Sequence, residues 1–358
     1  ARRPVVAMAG LNGTEICIMG RAVPRVYLLG QQKAGTETLA LDLMIAGMRG
    51  GFGPSADVGL RDAVRRKELH AFNDACGQRG ISHWTPREWR GEVPMGRCEP
   101  LAGRHRLRSK WAVQFRFNCS GHWGPLADMT PDNLRMPGLP GFLRGLYGER
   151  YRRRLGFVVL LREPLARLQS GHYHARGRWG EPAAWGARHS TVVPRHNGSF
   201  ADYVQGVLSR LPSYRRRGWA GLDRDYTMDQ LFRSMHAANL APWLEAFDAR
   251  QFVVIPARWY FSELDNRQQA VREIAARFGL RLRASALRTA CRANAGRHPR
   301  LSADLCAGAA QRLRWALADD TRCLAQRLAQ EVARGLTIVG YGGPPSAADV
   351  EAHLLGSW

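Results

Sequence analysis

Arg25-Val-Tyr-Leu-Leu-Gly-Gln-Gln-Lys-Ala-Gly-Thr-Glu-Thr-Leu-Ala-Leu-Asp-Leu-Met44 decides how the chain is to be read. Val26 to Leu29 are an unbroken apolar, β-prone run, the pattern of a strand buried on both faces of a parallel sheet. Gly30 ends it. Gln31 to Thr36 are polar and contain Lys33 and Gly35. Leu39, Leu41, Leu43 and Met44 then fall in a helix-forming segment expected to reach about Met48, where Gly50, Gly51, Gly53 and Pro54 stop it. Strand, tight loop and helix together aim unpaired backbone N–H groups at an anion. Lys33 adds a point charge, and Thr36 and Thr38 add hydroxyls. The order is not that of a Walker A loop, in which the lysine follows the second glycine; here Lys33 precedes Gly35. The plainer reading, an ordinary strand–helix turn with a chance lysine, stands beside the anion cradle until other segments are weighed.

The chain has 358 residues, 45% of them hydrophobic. That suffices for one large α/β domain or two small ones. No apolar run reaches the length of about 18 residues that suggests a membrane span. The chain begins at Ala1 without a signal-peptide pattern, and an upstream segment is expected to have been removed. Lys and Arg number 53 against 30 Asp and Glu, a net charge of +23. Such an excess suits a polyanionic partner, although compositional drift towards Arg accounts for part of it. The seven cysteines are scattered and form no CxxC pair, which argues against zinc. Sequons at Asn12, Asn118 and Asn197, with those cysteines, lean towards a secretory, oxidising compartment.

A second segment turns the balance. Phe157 to Leu161 form another buried-strand run, and Pro164 stands where a helix would start. From Arg162 the order is Arg-x-Pro-x-x-Arg-x-x-Ser-x-x-Tyr, ending at Tyr173. Arg162 leaves a strand end and Ser170 lies about two helical turns on. Both can meet a phosphate beyond the carboxyl ends of the strands, where open α/β sheets bind ligands. A guanidinium fork grips phosphate oxygens bidentately. His172 and His174 flank Tyr173 without an evident third metal ligand.

The two segments in this order resemble those of sulfotransferases, which use 3′-phosphoadenosine 5′-phosphosulfate (PAPS). The first resembles their 5′-phosphosulfate loop and the second their 3′-phosphate motif. Three further stretches resemble the heparan-sulfate and chondroitin type of carbohydrate sulfotransferase. Lys67-Glu-Leu-His-Ala-Phe-Asn73 resembles a segment whose Glu is that family's catalytic base, which matches Glu68 here, with His70 matching the family's His. Ala71 and Asn73 depart from the family's Phe and Asp. Asp128-Met-Thr-Pro131 resembles a Lys-Ser/Thr-Pro segment, with Met129 where the family has a basic residue. Cys291 to Pro299 resembles the loop that closes over PAPS; Gly296 and Arg297 match, and Ala295 replaces a Lys. Cys291 has no upstream partner for the family's hairpin disulfide; a pairing with Cys306 stays open.

The resemblance implies a single α/β domain over residues 25–358 with a central parallel sheet and flanking helices, related to P-loop kinases, after a lead-in over 1–24 that holds a short strand near Glu15 to Met19. Arg- and Trp-rich stretches near 81–130 and 175–230 are expected to form the acceptor cleft; Arg215-Arg-Arg217 lies in the second and could meet an anionic polymer. Strands are further expected at Gln251 to Ile255, and helices at Ser234 to Phe247, Asp265 to Phe278 and Leu305 to Leu336. The implied reaction is sulfuryl transfer from PAPS to a hydroxyl, with an amine as second choice, on an acidic or neutral glycan. Lys33 would act at the leaving oxygen, Glu68 as base with His70 beside it, the amides of Ala34, Gly35, Thr36, Glu37 and Thr38 at the 5′-phosphate, Arg162 and Ser170 at the 3′-phosphate, and Gly296 with Arg297 over the nucleotide. The scheme needs no metal. It implies a Golgi-lumenal or secreted enzyme tied to the membrane only through an anchor outside this sequence, with no nucleic acid as partner. Two other classes stay open: an ATP-dependent kinase, and a basic glycan or nucleic-acid binder without catalysis.

Overall fold

The computed structural model describes residues 15–18, 20–50, 119, 125–136, 138–178, 199–217, 225–287, 305, 307–341 and 345–355. Eight strands are present among them: β1 (Ile16–Ile18), β2 (Arg21–Val23), β3 (Val26–Gly30), β4 (Arg49–Gly50), β5 (Leu126–Asp128), β6 (Gly156–Leu161), β7 (Phe252–Pro256) and β8 (Thr337–Ile338). β1 and β2 make a small antiparallel ladder. The other six form one sheet in the order β4-β5-β3-β6-β7-β8, and every neighbouring pair is parallel. The expected architecture, one α/β domain around a central parallel sheet, is what the chain adopts.

Helices cover both faces, as parallel crossovers require. One face carries α1 (Thr36–Ile45), α7 (Ala257–Ser262) and α8 (Leu264–Phe278). The other carries α2 (Leu139–Arg152), α3 (Pro164–Arg178), α4 (Phe200–Arg216), α5 (Tyr226–Phe232), α6 (His236–Ala246), α9 (Ala307–Ala333) and α10 (Ala347–Leu355). The strands divide their side chains between the two with a period of two. Val26, Leu28, Val158, Leu160, Val253 and Ile255 pack towards α1 and α8. Tyr27, Leu29, Phe157, Val159, Phe252 and Val254 pack towards the larger helical layer. Phe157 is the hub of that second core, with ring centroids of Phe247 at 4.5 Å, Phe252 at 5.0 Å and Trp243 at 5.3 Å. Truncating such a side chain to Ala typically costs about 3–5 kcal/mol.

One reading is corrected. The first helix stops at Ile45 rather than Met48, because Gly47 takes a φ of 108° and turns the chain into β4, an edge strand of two residues. Within the stretch 175–230, expected to contribute to the acceptor cleft, the described residues hold α4 and most of α5. Phe200, Tyr203, Val204, Val207, Leu211 and Tyr214 are buried along α4, a helical stripe hidden among arginines. Met129, which stands where the resembled family has a basic residue, is fully buried in the α1-side core. Cys17 is bridged to Cys119, 102 residues away, a pairing that spacing could not disclose. Cys291 and Cys306 lie outside the described residues, as does Trp84, Trp89, Trp111 and Trp123 of the first cleft stretch.

Candidate anion-binding site at the sheet switch point

After β3 the chain crosses to one edge of the sheet through β4 and returns through β5. After β6 it proceeds to the other edge. The carboxyl ends of β3 and β6 are therefore the point where the winding reverses, the usual ligand crevice of an open α/β sheet. Both motif segments begin there.

Gly30 closes β3 with a φ of 134°, and a Cβ on it would lie 2.4 Å from the carbonyl oxygen of Pro131. Only glycine lets the loop after β5 approach this closely. The Gln31 amide donates to Leu160 O at 3.0 Å, which ties the start of the loop to β6. Ala34 N donates back to Gln31 O, and Thr38 N to Gly35 O, each at 3.0 Å. Gly35 caps α1 from the left-handed region, at a φ of 99°, with no side-chain cap. Of the amides expected to hold a phosphate, those of Ala34 and Thr38 are thus committed within the loop. The amides of Gly35 and Thr36 donate to no backbone acceptor among the described residues. They sit at the positive end of a ten-residue helix, where an anion is favoured. Thr36 and Thr38 are buried and Lys33 and Glu37 half-buried around them. The rim of the Phe261 ring of α7 occupies the space a Cβ of Gly35 would need, with Cζ 2.3 Å from that position.

Two arginines of the β6–α3 segment brace this loop from behind. Arg162 Nη1 donates to Lys33 O at 2.9 Å. Arg167 Nε donates to Gln32 O at 3.0 Å. Arg167 is fully buried and also reaches Gln230 O at 2.5 Å and Gln230 Oε1 at 2.7 Å. Consecutive carbonyls of the loop are thereby held by guanidinium groups five residues apart in sequence. Lys33 takes a φ of 69° between them. Arg162 is only half-buried, and burial presses its guanidinium towards the neutral form, against the smaller opposing pull of Glu163. Its single hydrogen bond among the described residues leaves donors over. Glu163 itself accepts from Leu165 N and Ala166 N and so caps α3; burial raises its carboxyl above the usual range. Ser170 lies half-buried two turns into α3, and its hydroxyl makes no hydrogen bond among the described residues.

A further layer fixes these parts. Arg233 of the α5–α6 turn donates to Gln32 Oε1 at 2.7 Å, to Asp229 Oδ2 at 2.8 Å and to Asp132. Arg135 donates to the other oxygen of Asp229 at 2.7 Å. His236, at the start of α6, bonds Arg162 O through Nε2 at 2.7 Å. Burial lowers its pKa to about 4, so the ring is neutral, which leaves Nε2 as the donor to that carbonyl. Asp320 of α9 accepts from Ala237 N at 3.1 Å and Ala238 N at 3.0 Å and so caps α6; burial pushes its pKa up to about 6.

Lys33, Ala34, Gly35, Thr36, Glu37, Thr38 and Arg162 thus meet at one sheet end, with Ser170 on the helix that starts there. Glu68, His70, Gly296 and Arg297 lie outside the described residues. Asp42, a carboxylate of α1 close to the loop in sequence, is ruled out as an alternative base. It is fully buried, accepts from Arg267 at 2.7 and 2.5 Å and from the Tyr260 hydroxyl, and faces the α8 side. Arg167, Arg233 and His236 were not anticipated as parts of the site. Arg167 had a signal, since it is the second arginine of the motif; Arg233 and His236 had none.

No family model matches the sequence, and no curated protein matches it. Among solved structures, a sulfotransferase from Alicyclobacillus acidocaldarius is similar, at 15% identity and a TM-score of 0.48, over 88% of this chain and 98% of that one.

Proposed function

We propose that the chain transfers a sulfuryl group from PAPS to a hydroxyl group of a glycan. The observation that carries this reading is the pairing of an open helix N-terminus with a half-buried arginine on the next strand, Arg162, clasped to the carbonyl of Lys33. The first suits a 5′-phosphosulfate. The second, with Ser170, suits a separate phosphate that ATP lacks. In the reaction an acceptor oxygen bonds to sulfur as the bond from sulfur to the 5′-phosphate oxygen breaks. The acceptor proton passes to Glu68, with His70 beside it, and 3′-phosphoadenosine 5′-phosphate (PAP) departs. Lys33 meets the charge that grows on the leaving oxygen, and the Gly35 and Thr36 amides hold the phosphate it belongs to. Arg297 and Gly296 cover the nucleotide. Such a displacement asks chiefly for positioning and charge stabilisation.

The acceptor class rests on the resemblance of the Glu68 segment and on the net charge of +23. A Golgi-lumenal or secreted setting is part of the proposal, supported by the Cys17–Cys119 bridge and the three sequons. No helix among the described residues is long and apolar enough to cross a membrane.

The test is calorimetry with PAP, 5′-AMP and ATP, followed by labelled PAPS offered with a panel of glycans. PAP should bind at least tenfold more tightly than 5′-AMP, and label should pass to glycan. Glu68→Gln should keep PAP affinity and lower turnover by roughly 10²–10⁴-fold, the usual worth of a general base. Equal affinity for PAP and 5′-AMP would overturn the assignment of Arg162 and with it the reaction.

A further inference from the structure

Trp315 is 68% exposed on α9, and among the described residues the only other large apolar side chain on the surface is Ile45, at 36%. An indole standing in water on a helix whose opposite face is core offers a flat apolar face with a polar N–H, the kind of side chain that interfaces favour. Its surroundings are basic. Arg312 lies one turn before it on the same exposed face. Arg215, at the end of α4, donates to the carbonyl of Ala316, the next residue, at 2.6 Å. That bond sets the Arg215-Arg-Arg217 triplet against Trp315. Arg217 lies over the Tyr214 ring at 4.7 Å. Arg216 and Arg312 are exposed and have no acidic partner among the described residues. Asp319, one turn beyond Trp315, is engaged by Arg322 at 3.4 Å.

The inner side of the same helix faces the candidate site. Arg314 lies near enough to Glu163 to favour its charged form. Asp320 caps α6, whose first residue holds Arg162 O. The patch is therefore on the outside of the helix that backs the phosphate-binding end of the sheet.

We propose that Trp315, Arg312 and the Arg215–Arg217 triplet form an exosite for an acidic polysaccharide, which holds a long acceptor chain beside the transfer site. The proposal rests on the transferase reading for its purpose but not for its binding chemistry. Guanidinium forks match sulfate and carboxylate groups, and one flat indole matches the apolar face of one sugar ring. A single-stranded nucleic acid would instead call for successive aromatics along a groove, and among the described residues of the patch one is exposed.

The experiment measures binding of long heparin chains to the full chain, with single-stranded DNA of similar length as competitor. The variants are Trp315→Ala and the double Arg216→Glu/Arg312→Glu. PAP affinity and the thermal midpoint are read alongside. Trp315→Ala should weaken heparin binding about tenfold, the effect of losing a contact of about 1.4 kcal/mol. The double variant should weaken it further and flatten the dependence of log affinity on log salt by about one to two units. PAP affinity and the thermal midpoint should not move, because these side chains lie outside the core and the loop. Unchanged heparin affinity in both variants would overturn the exosite. Preferential displacement of heparin by the DNA would overturn its assignment to a glycan. Failure of wild-type protein to bind PAP would sink the transferase reading alone, since the heparin measurements need no turnover.

Discussion

Arg162 and Lys33 are 129 residues apart in sequence and are joined by a 2.9 Å hydrogen bond from the guanidinium of one to the carbonyl of the other. The bond ties the backbone of the loop at Lys33 to the residue that follows β6. Both residues are thereby held at the same end of the sheet.

Arg162 and Arg167 should separate binding from stability. Arg162→Ala removes one bond to Lys33 O and the donors that remain for an anion. PAP affinity should fall by about 2–5 kcal/mol, the cost of breaking a charge-assisted pair, with a modest change in thermal midpoint. Arg167→Ala takes the guanidinium away from Gln32 O, Gln230 O and Gln230 Oε1 and leaves Gln230 O with only the Ser234 hydroxyl. Its main effect should be on unfolding, with each acceptor left without a donor costing about 1–3 kcal/mol. Calorimetry and denaturant melts on both variants check the contrast; equal stability losses would refute it.

Gly35→Ala should cripple the loop for two separable reasons, a φ of 99° and a collision with Phe261. Adding Phe261→Ala should restore the steric part of the lost PAP affinity and leave the backbone part. A double variant no better than Gly35→Ala would show that the ring is irrelevant.

Asp42→Asn should destabilise the fold by about 3–5 kcal/mol, because it strands the buried guanidinium of Arg267. Turnover per folded molecule should be unchanged. A selective loss of turnover with normal stability would return Asp42 to the mechanism.

The start of α6 carries two opposing proton linkages. Asp320 is raised to about 6 by burial, so between about pH 4 and 6 the folded state holds its proton more firmly than the unfolded state, and stability falls as pH rises through that window. His236 is lowered to about 4 by burial, with Arg167 adding to the effect. The unfolded state then binds the proton more firmly between pH 4 and 6.5, and stability rises with pH there. The two slopes offset in the native chain. Asp320→Asn should expose the rising slope and His236→Gln the falling one, both read from denaturant midpoints between pH 4 and 6.5. Parallel slopes in the two variants would contradict the assignment.

The parts of the site legible in the sequence were those written in contiguous residues. Val26 to Leu29 and Phe157 to Leu161 declared buried strands because parallel sheets bury both faces, and Lys33, Gly35, Arg162 and Ser170 stood at fixed offsets from them. What escaped was relational or masked by composition. β4 is two residues long and glycine-flanked, so no periodicity marks it. α4 carries its apolar stripe among three arginines and their polar neighbours, and mean polarity hid the spacing. Asp132, Asp229 and Arg233 form one network only because a turn after β5 meets the end of α5, and nothing in either segment announces the other.

The central place of β3 has a consequence for synthesis. Its two neighbours, β5 and β6, come from residues 126–128 and 156–161, long after β3 has left the ribosome. Until Leu160 emerges, the Gln31 amide has no acceptor, and until Arg162 and Arg167 emerge, the carbonyls of Lys33 and Gln32 have no clasp. A nascent chain shorter than this therefore carries the loop's residues without the loop. On the proposed reading, nucleotide capture would be acquired at a definite chain length, and truncated chains ending before α3 should be blind to PAP however well their first helix forms.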